Sequence, residues 1–598
     1  MEENKTGKEE DEEDMEENKT GKEEDEEDME ENKTGKEEDE EDMEENKTGK
    51  EDDEERRRGS ERWTKEAQGK GSESIPDARE DEGYMRMRWQ DLEQFQQARG
   101  SVYPHKFDVT IEIQEFLNKY ACLEAGEQRK DERQSVAGRI IGLRRAGKNL
   151  IFIDVKSNGS RMQLMVDRQH FDGEDWEELM GKILKRGDVV GATGIPARNK
   201  RGEICLIPLS VKLLAPCVRI LPKDYYGLKD PDLRFRNRYV DLICNSQVRQ
   251  HFEGRAKIIR AIRNYLDNIG FLEVETPMLS RQASGAAARP FKTFHNDLES
   301  ELFMRVMQRE QRRGRADADR QVAPELYLKQ LVVGGLDKVY ELGKCFRNEG
   351  VDATHNPEFT SIEIYQAYAD YMDMLEMLER MLKSVCQEVS SRDKSGTIEL
   401  DFSRPFQRLD YMQAIEEAAG QKLPHPSELE TTESVKLLRE ILSKFKVSAP
   451  SNAHASILLD KLCGELVEPK LIQPTFLINQ PLCMSPLAKE HREMAGVSER
   501  FELFILGREV ANAYTELNDP REQKTRFEEQ MLKKQQGDEE AIVLDDSFLH
   551  ALDYGLPPTG GCGIGIDRIC MTLLDLPSIR EVQLFPLLRP KEGKPEEP

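Results

Sequence analysis

No run of about eighteen apolar residues occurs in this chain, so nothing in the sequence is fit to cross a bilayer as a helix. Ten cysteines are scattered without a single CxxC pair, which argues against a zinc ribbon or a disulfide scaffold and fits a reducing compartment. Aromatic residues make up only 7% of the chain, while charged residues make up 34%. No GxxxxGK[ST] is present and the glycines do not fit GxGxxG, so neither a P-loop nor a dinucleotide fold is expected. The opening MEENKTGKEED has no apolar signal core and no acid-poor, Arg-rich character, so secretion and presequence import are not expected. A cytoplasmic location without membrane association follows as the expectation.

What is present divides unevenly. The chain has 598 residues and a formal charge of −29. Most of that charge lies in residues 1–55, where MEENKTGKEEDEED recurs from Met1, Met15, Met29 and Met43. The remainder is only mildly acidic. The repeat, with no apolar residue but Met, cannot bury enough surface to offset its ordering entropy and reads as disordered; with the polar stretch after it, it makes residues 1–88 a disordered acidic repeat and linker. Such a tail is either a plain solvated extension or a docking or autoinhibitory segment that imitates a polyanion.

Residues 89–132 read as a helical lead-in, with apolar residues three and four apart in EIQEFLNKYACL. In 133–218 five strand patterns follow one another: SVAGRIIGLRR, NLIFIDVK, RMQLMVD, DVVGATGIPA and ICLIPLSVKLLA. A helical stretch around Asp175–Leu184 follows the third, as in an OB-type barrel. Residues 219–247 are polar and Arg-rich and read as a connector. Helices and strands then alternate through 248–590, enough for one large α+β domain, and 591–598 form a tail.

Three stretches carry chemistry. GFLEVETPML (Gly270–Leu279) is an apolar strand ended by Pro277. Leu342–Asp370 reads as strand, polar loop, strand, with Arg347 and Glu349 on one face of the first and Phe359, Ser361, Glu363 and Tyr365 on one face of the second. The alternatives are a solvated cross-strand salt bridge or a polar pocket with an Arg for phosphate. Gly555–Asp575 is a Gly-rich strand running into an apolar helix, with Arg568 at the junction; its glycines would let a ligand approach the backbone.

In this order the three stretches resemble motifs 1, 2 and 3 of the class II aminoacyl-tRNA synthetases. With the barrel in front, GLKDPDLRFRNRYVDL, FRNEGVDATHNPEF, MSPLAK, NAYTELNDP and GIGIDR, the chain is similar to the lysyl-tRNA synthetase family over about Trp89 to Pro590. The resemblance implies an α+β protein: an N-terminal OB-fold barrel that binds the anticodon, and a catalytic domain on an antiparallel sheet. It implies a ligase that joins L-lysine to ATP as lysyl-adenylate and passes it to the 3′ end of tRNA(Lys), with Mg2+ as cofactor and a homodimer as the assembly.

The resemblance also distributes roles. Arg347 and Arg568 become the catalytic cations, with Phe359 under the adenine and Arg568 over it. Glu349, His355, Asn356, Glu509 and Gly565 fall at nucleotide-contact positions. Glu502 and Glu509, on opposite arms of a hairpin turning near Gly507, become the Mg2+ ligands; on their own they would read as exposed strand acids. Glu325 and Glu516 would meet the substrate ammonium, Gly285 and Glu363 the α-amino group, and Arg347, Tyr365, Asn512 and Tyr514 complete the lysine pocket. In the barrel, Phe152, Gln163 and Glu203 match anticodon contacts; alone, Phe152 could equally be a core residue.

Three departures stand against the family pattern. Cys562 replaces a bulky aromatic inside motif 3 and is expected to loosen packing beside the adenine. The far N-terminus is acidic where relatives often carry a Lys-rich helix. Val306–Gln321 interrupts the approach to Glu325, either as a surface loop or as an intron read as coding sequence. Two rival functions remain: a catalytically weak RNA-binding scaffold, and a free-standing lysine ligase acting on a protein. The intact motif residues oppose the first and the barrel opposes the second.

Overall fold

A computed structural model describes residues 78–222, 228–280, 291–305, 324–348, 350–389, 400–450, 453–535 and 545–590. The acidic repeat, Gly285, Glu349 and Val306–Gln321 lie outside the described residues.

The barrel forms where the period-two patterns place it. Its strands are β1 (Gln134–Arg145), β2 (Leu150–Ser157), β3 (Ser160–Asp167), β4 (Val189–Arg198) and β5 (Ile204–Ala215), closed in the order β1-β2-β3-β5-β4. Alternation decides what goes inside. Ile151, Ile153 and Val155 of β2, with Met162, Leu164 and Val166 of β3, are buried, and the residues between them face outward. The helical stretch after β3 is one turn at Trp176–Glu178 running into a π-type turn at Leu179–Ile183.

Two boundaries differ from the sequence expectation. A helix already spans Ala78–Arg99, inside the segment read as linker up to 88. Its buried positions include charged ones. Arg88 is fully buried; it donates to Ile183 O at 2.5 Å and to Asp188 Oδ2 at 2.7 Å, while Asp81 receives Arg219 at 2.5 Å. The connector is also more ordered than its polarity suggests. It contains helices Pro231–Arg236 and Arg238–Cys244, locked by Arg238–Asp241 at 2.7 Å and Arg234–Glu581 at 2.9 Å.

The remaining strands, in chain order, are β6 (Leu272–Glu273), β7 (Leu279–Ser280), β8 (Lys292–His295), β9 (Ser300–Met304), β10 (Lys338–Phe346), β11 (Glu358–Ala367), β12 (Gln407–Asp410), β13 (Thr475–Ile478), β14 (Arg500–Ile505), β15 (Arg508–Thr515) and β16 (Thr559–Gly565). Eight make one sheet, ordered β12-β13-β14-β15-β16-β11-β10-β6, antiparallel throughout except for its two outermost pairs; β7, β9 and β8 form a small separate sheet. β14 and β15 meet in a two-residue turn in which Leu506 and Gly507 both have positive φ, 54° and 66°, as a hairpin of right-twisted strands favours.

One face of the large sheet carries the apolar core. Helix Tyr371–Val389 presents Met374, Leu375, Leu378, Met381 and Leu382, and helix Ser246–Asn268 presents Ile258, Ile262 and Leu266, both at three- and four-residue spacing. The opposite face carries polar side chains beside a second apolar cluster, in which Val339, Tyr365, Ala367 and Tyr514 pack with Leu326, Leu328 and Val332 of helix Pro324–Val333.

Removing one partner of a buried ion pair leaves the other uncompensated, at a cost of about 3–5 kcal/mol. Arg88→Ala should therefore destabilise the barrel by that order in denaturant unfolding followed by tryptophan fluorescence, Trp176 being buried there. A loss below about 0.5 kcal/mol, the usual size of a surface change, would show that the Ala78–Arg99 helix is not integral to the domain.

Candidate active site

The site is built on three neighbouring strands. In register, Glu363 of β11 lies beside Gly563 of β16, which lies beside Asn512 of β15; the next row is Tyr365, Gly561, Tyr514. Side chains thus rise on both flanks of a floor made of Gly561, Gly563 and Gly565. A Cβ on Gly561 would fall 2.0 Å from Glu516 Oε1 and 2.7 Å from Tyr365 Cε1, so the close packing there requires glycine. The alternate residues of β16 point the other way. Cys562 is among them: its side chain packs in the apolar core with Ile364 and Ala513, and the residue also lines the cavity.

A single cavity is lined by Glu325, Arg347, His355, Asn356, Phe359, Glu363, Tyr365, Glu509, Asn512, Tyr514, Gly565 and Arg568. Residues from five separated segments, chosen from sequence, are thereby brought together. At one end the Arg347 guanidinium lies 5.0 Å from the centroid of the Phe359 ring. Arg568 donates to the Glu509 carbonyl at 2.6 Å and to its carboxylate at 3.1 Å, and faces His355 Nε2 at 3.5 Å. The loop holding His355 is tied by Asp352; although partial burial opposes its charge, hydrogen bonds from Thr354 N–H and His355 keep its carboxyl down at about 2. Asp567 accepts from Thr360 N–H at 2.7 Å and from Arg255 at 2.5 Å, which pins the start of the motif 3 helix to β11.

The other end is a buried carboxylate cluster. Glu325 opens helix Pro324–Val333, as its position after Ala-Pro suggests, and its Oε1 accepts from Tyr514 Oη at 2.6 Å. Glu363, only 7% exposed, accepts from Tyr365 Oη at 3.3 Å; burial first, then the nearby Glu325, pushes its carboxyl up to about 8. Burial likewise carries Glu516 well above the usual carboxylate range, against the pull of Lys329. Sequence reasoning missed that lysine. Lys329 Nζ lies 2.6 Å from Glu325 Oε1 and 2.5 Å from Glu516 Oε2, with no exposed surface. Burial opposes its charge, but the two acids outweigh that and hold the ammonium protonated. The signal was available: Lys329 stands four residues after Glu325, one helical turn along the same face.

Glu502 and Glu509 do occupy opposite arms of the hairpin. Glu502 is in register with Asn512 and Glu509 with Phe504, and each carboxylate meets an arginine, Arg500 at 3.3 Å and Arg568 at 3.1 Å. In the barrel, Phe152 is half-buried on the outer face with Arg144 5.1 Å from its ring, so it is not a core residue. Gln163 is in register with Asp154, two residues along from Phe152 on the same outer face, and Glu203 is exposed and bonded to Asn199.

Comparison with known proteins agrees with this architecture. Residues 230–589 match the family described as tRNA synthetases class II (D, K and N), and residues 134–221 match the OB-fold nucleic acid binding domain. A glycine-floored antiparallel sheet behind an OB barrel is thus, here, the frame of a class II aminoacyl-tRNA synthetase. Among relatives, the lysine–tRNA ligase cla4 of Cladosporium cladosporioides is 44% identical over 519 residues, 85% of this chain and 84% of that one. The lysine–tRNA ligase of Moorella thermoacetica is 44% identical over 515 residues, 85% of this chain and 98% of its own. The probable cytoplasmic lysine–tRNA ligase of Encephalitozoon cuniculi is 43% identical over 502 residues, 82% and 94% respectively. Within its class, the chain belongs to the lysine–tRNA ligase family.

Proposed function

We propose that this enzyme activates L-lysine with ATP and transfers it to tRNA(Lys), using the cavity residues in the following roles. The observation that carries the reading is the carboxylate cluster: Glu325 and Glu516 close on the ammonium of Lys329, and Glu363, raised by burial to about 8, stands near them, so a second cation would be met by acids ready to ionise. An aspartate side chain would be repelled there.

The attacking group in the first step is the lysine carboxylate, ionised at neutral pH, so no general base is required. Its oxygen bonds to the α-phosphorus of ATP and pyrophosphate leaves. Rate then depends on alignment and on stabilising charge at the phosphate. Arg347 is placed to do both, since a forked guanidinium can hold a carboxylate and a phosphate together. Phe359 offers a face for the adenine and Arg568 the opposing cation, once nucleotide draws it from Glu509. Glu363 and Asn512 flank the glycine floor where the α-amino group would lie. A hydroxyl of the tRNA 3′ terminus then attacks the adenylate carbonyl and AMP departs. Gly285 and Glu349 keep the roles that the family resemblance gives them.

Glu502 and Glu509 fit Mg2+ by donor chemistry: two hard carboxylate oxygens, completed by nucleotide phosphates. Bound there, the cation would offset phosphate charge during the first step. The outward Phe152 with Gln163 and Glu203 suits stacking and edge recognition of single-stranded anticodon bases. Cytoplasmic residence, which the Encephalitozoon relative's name carries, belongs to the same reading and is checked by cell fractionation.

Glu516→Gln tests the pocket. Loss of a charge-assisted hydrogen bond costs on the order of 1.5–3 kcal/mol, so the lysine KM in ATP–pyrophosphate exchange should rise roughly ten- to hundred-fold. Unchanged lysine kinetics would remove Glu516 from substrate binding. A homodimer is the second expectation. Leu272, Met278, Leu279, Phe294 and Leu298 are exposed around motif 1, Leu272 at 51% and Phe294 at 60%, and a two-fold contact would cover them. Light scattering at micromolar concentration should give about twice 68.8 kDa. A fully active monomer would contradict it.

A further inference from the structure

Lys329 has no place in the chemistry described so far, yet it occupies the centre of the substrate cluster. Its Nζ takes Glu325 Oε1 at 2.6 Å and Glu516 Oε2 at 2.5 Å. The rings of Tyr514 and Phe548 cover it, 5.7 Å and 5.6 Å away. Glu325 and Tyr514 line the cavity, whereas Lys329 and Glu516, buried against them, are not among its lining residues. Each acid therefore spends one oxygen on the internal ammonium. The other oxygen of Glu516, Oε1, is buried without a partner and lies against the Gly561 floor. A buried carboxylate oxygen left without a donor costs free energy that a ligand ammonium would recover.

Resting on the lysine-activation reading above, we propose that Lys329 is a positioning and specificity-determining residue: it fixes the two acids from behind and sets the depth at which a substrate ammonium must stop. Two consequences follow from that geometry. Without Lys329, Glu325 and Glu516 would face each other across a dry space with no counter-charge, and would rotate apart or share a proton. With it, a second ammonium is attracted by the open oxygens but repelled by the ammonium behind them. The pocket thus measures side-chain length. Lysine reaches the open oxygens; ornithine, one methylene shorter, falls short of them.

Pyrophosphate exchange with the full chain tests this, using lysine and ornithine as the competing amino acids and measuring ATP affinity separately. Lys329→Met should raise the lysine KM at least ten-fold with a smaller change in kcat. It should also narrow the preference for lysine over ornithine at least ten-fold and leave ATP affinity within two-fold. In Lys329→Ala, added ethylammonium should restore part of the lysine activity, because a free cation can re-enter behind the acids. Unchanged lysine KM and unchanged preference would overturn the proposal. So would parallel loss of ATP and lysine binding, which marks a purely structural role. If Lys329→Met does not fold, the double variant Lys329→Met/Glu325→Gln removes one charge of each sign; failure of that variant to fold would also overturn the proposal. Glu516→Gln separates the two levels. If it raises the lysine KM while Lys329→Met does not, the pocket stands and only the role of Lys329 falls.

Discussion

Two buried glutamates, Glu325 and Glu516, close on the ammonium of Lys329, and a third, Glu363, is enclosed near Glu325. Burial disfavours charge and drives Glu363 and Glu516 toward their neutral forms, so a further cation nearby would favour their ionisation. Much of the catalytic domain can be understood as the means of holding that arrangement. The acids come from a helix, from β11 and from the segment after β15, elements far apart in sequence. The glycine floor of β16 lets them approach, and Tyr514 and Tyr365 supply the hydrogen bonds that orient two of them. Under the proposed reading, the substrate ammonium would be the cation that completes this cluster.

The other end of the cavity is held differently: Arg568 rests on Glu509 and Arg347 lies over Phe359. The two ends share one sheet face, with Glu363 and Asn512 on strands flanking its glycine floor. The barrel is a separate core, and its outer β2–β3 face is free to present Phe152 and Gln163.

Much of this was legible in the sequence, for identifiable reasons. Short apolar runs such as NLIFIDVK and RMQLMVD, set between turn signals, announced the barrel strands, and the motifs around Arg347 and Arg568 announced residues that line one cavity. Features that escaped were those in which polar residues do the work of apolar ones. The Ala78–Arg99 helix turns Asp81 and Arg88 inward, so its pattern resembles a linker. The connector helices are held by arginine–carboxylate pairs in the same way. Lys329 escaped because a buried lysine has no periodic signature; only its distance of one turn from Glu325 marks it.

Counting protons on lysine binding addresses the charge state of the cluster directly. Burial and Glu325 hold the Glu363 carboxyl at about 8, so near pH 7 Glu363 keeps a proton that an arriving ammonium should expel. Titration calorimetry of lysine into the full chain, repeated in buffers of different ionisation enthalpy, reads that proton. Release of a substantial fraction of one proton per site is expected at pH 7, declining as pH rises past about 8. A binding heat that does not depend on the buffer would contradict it.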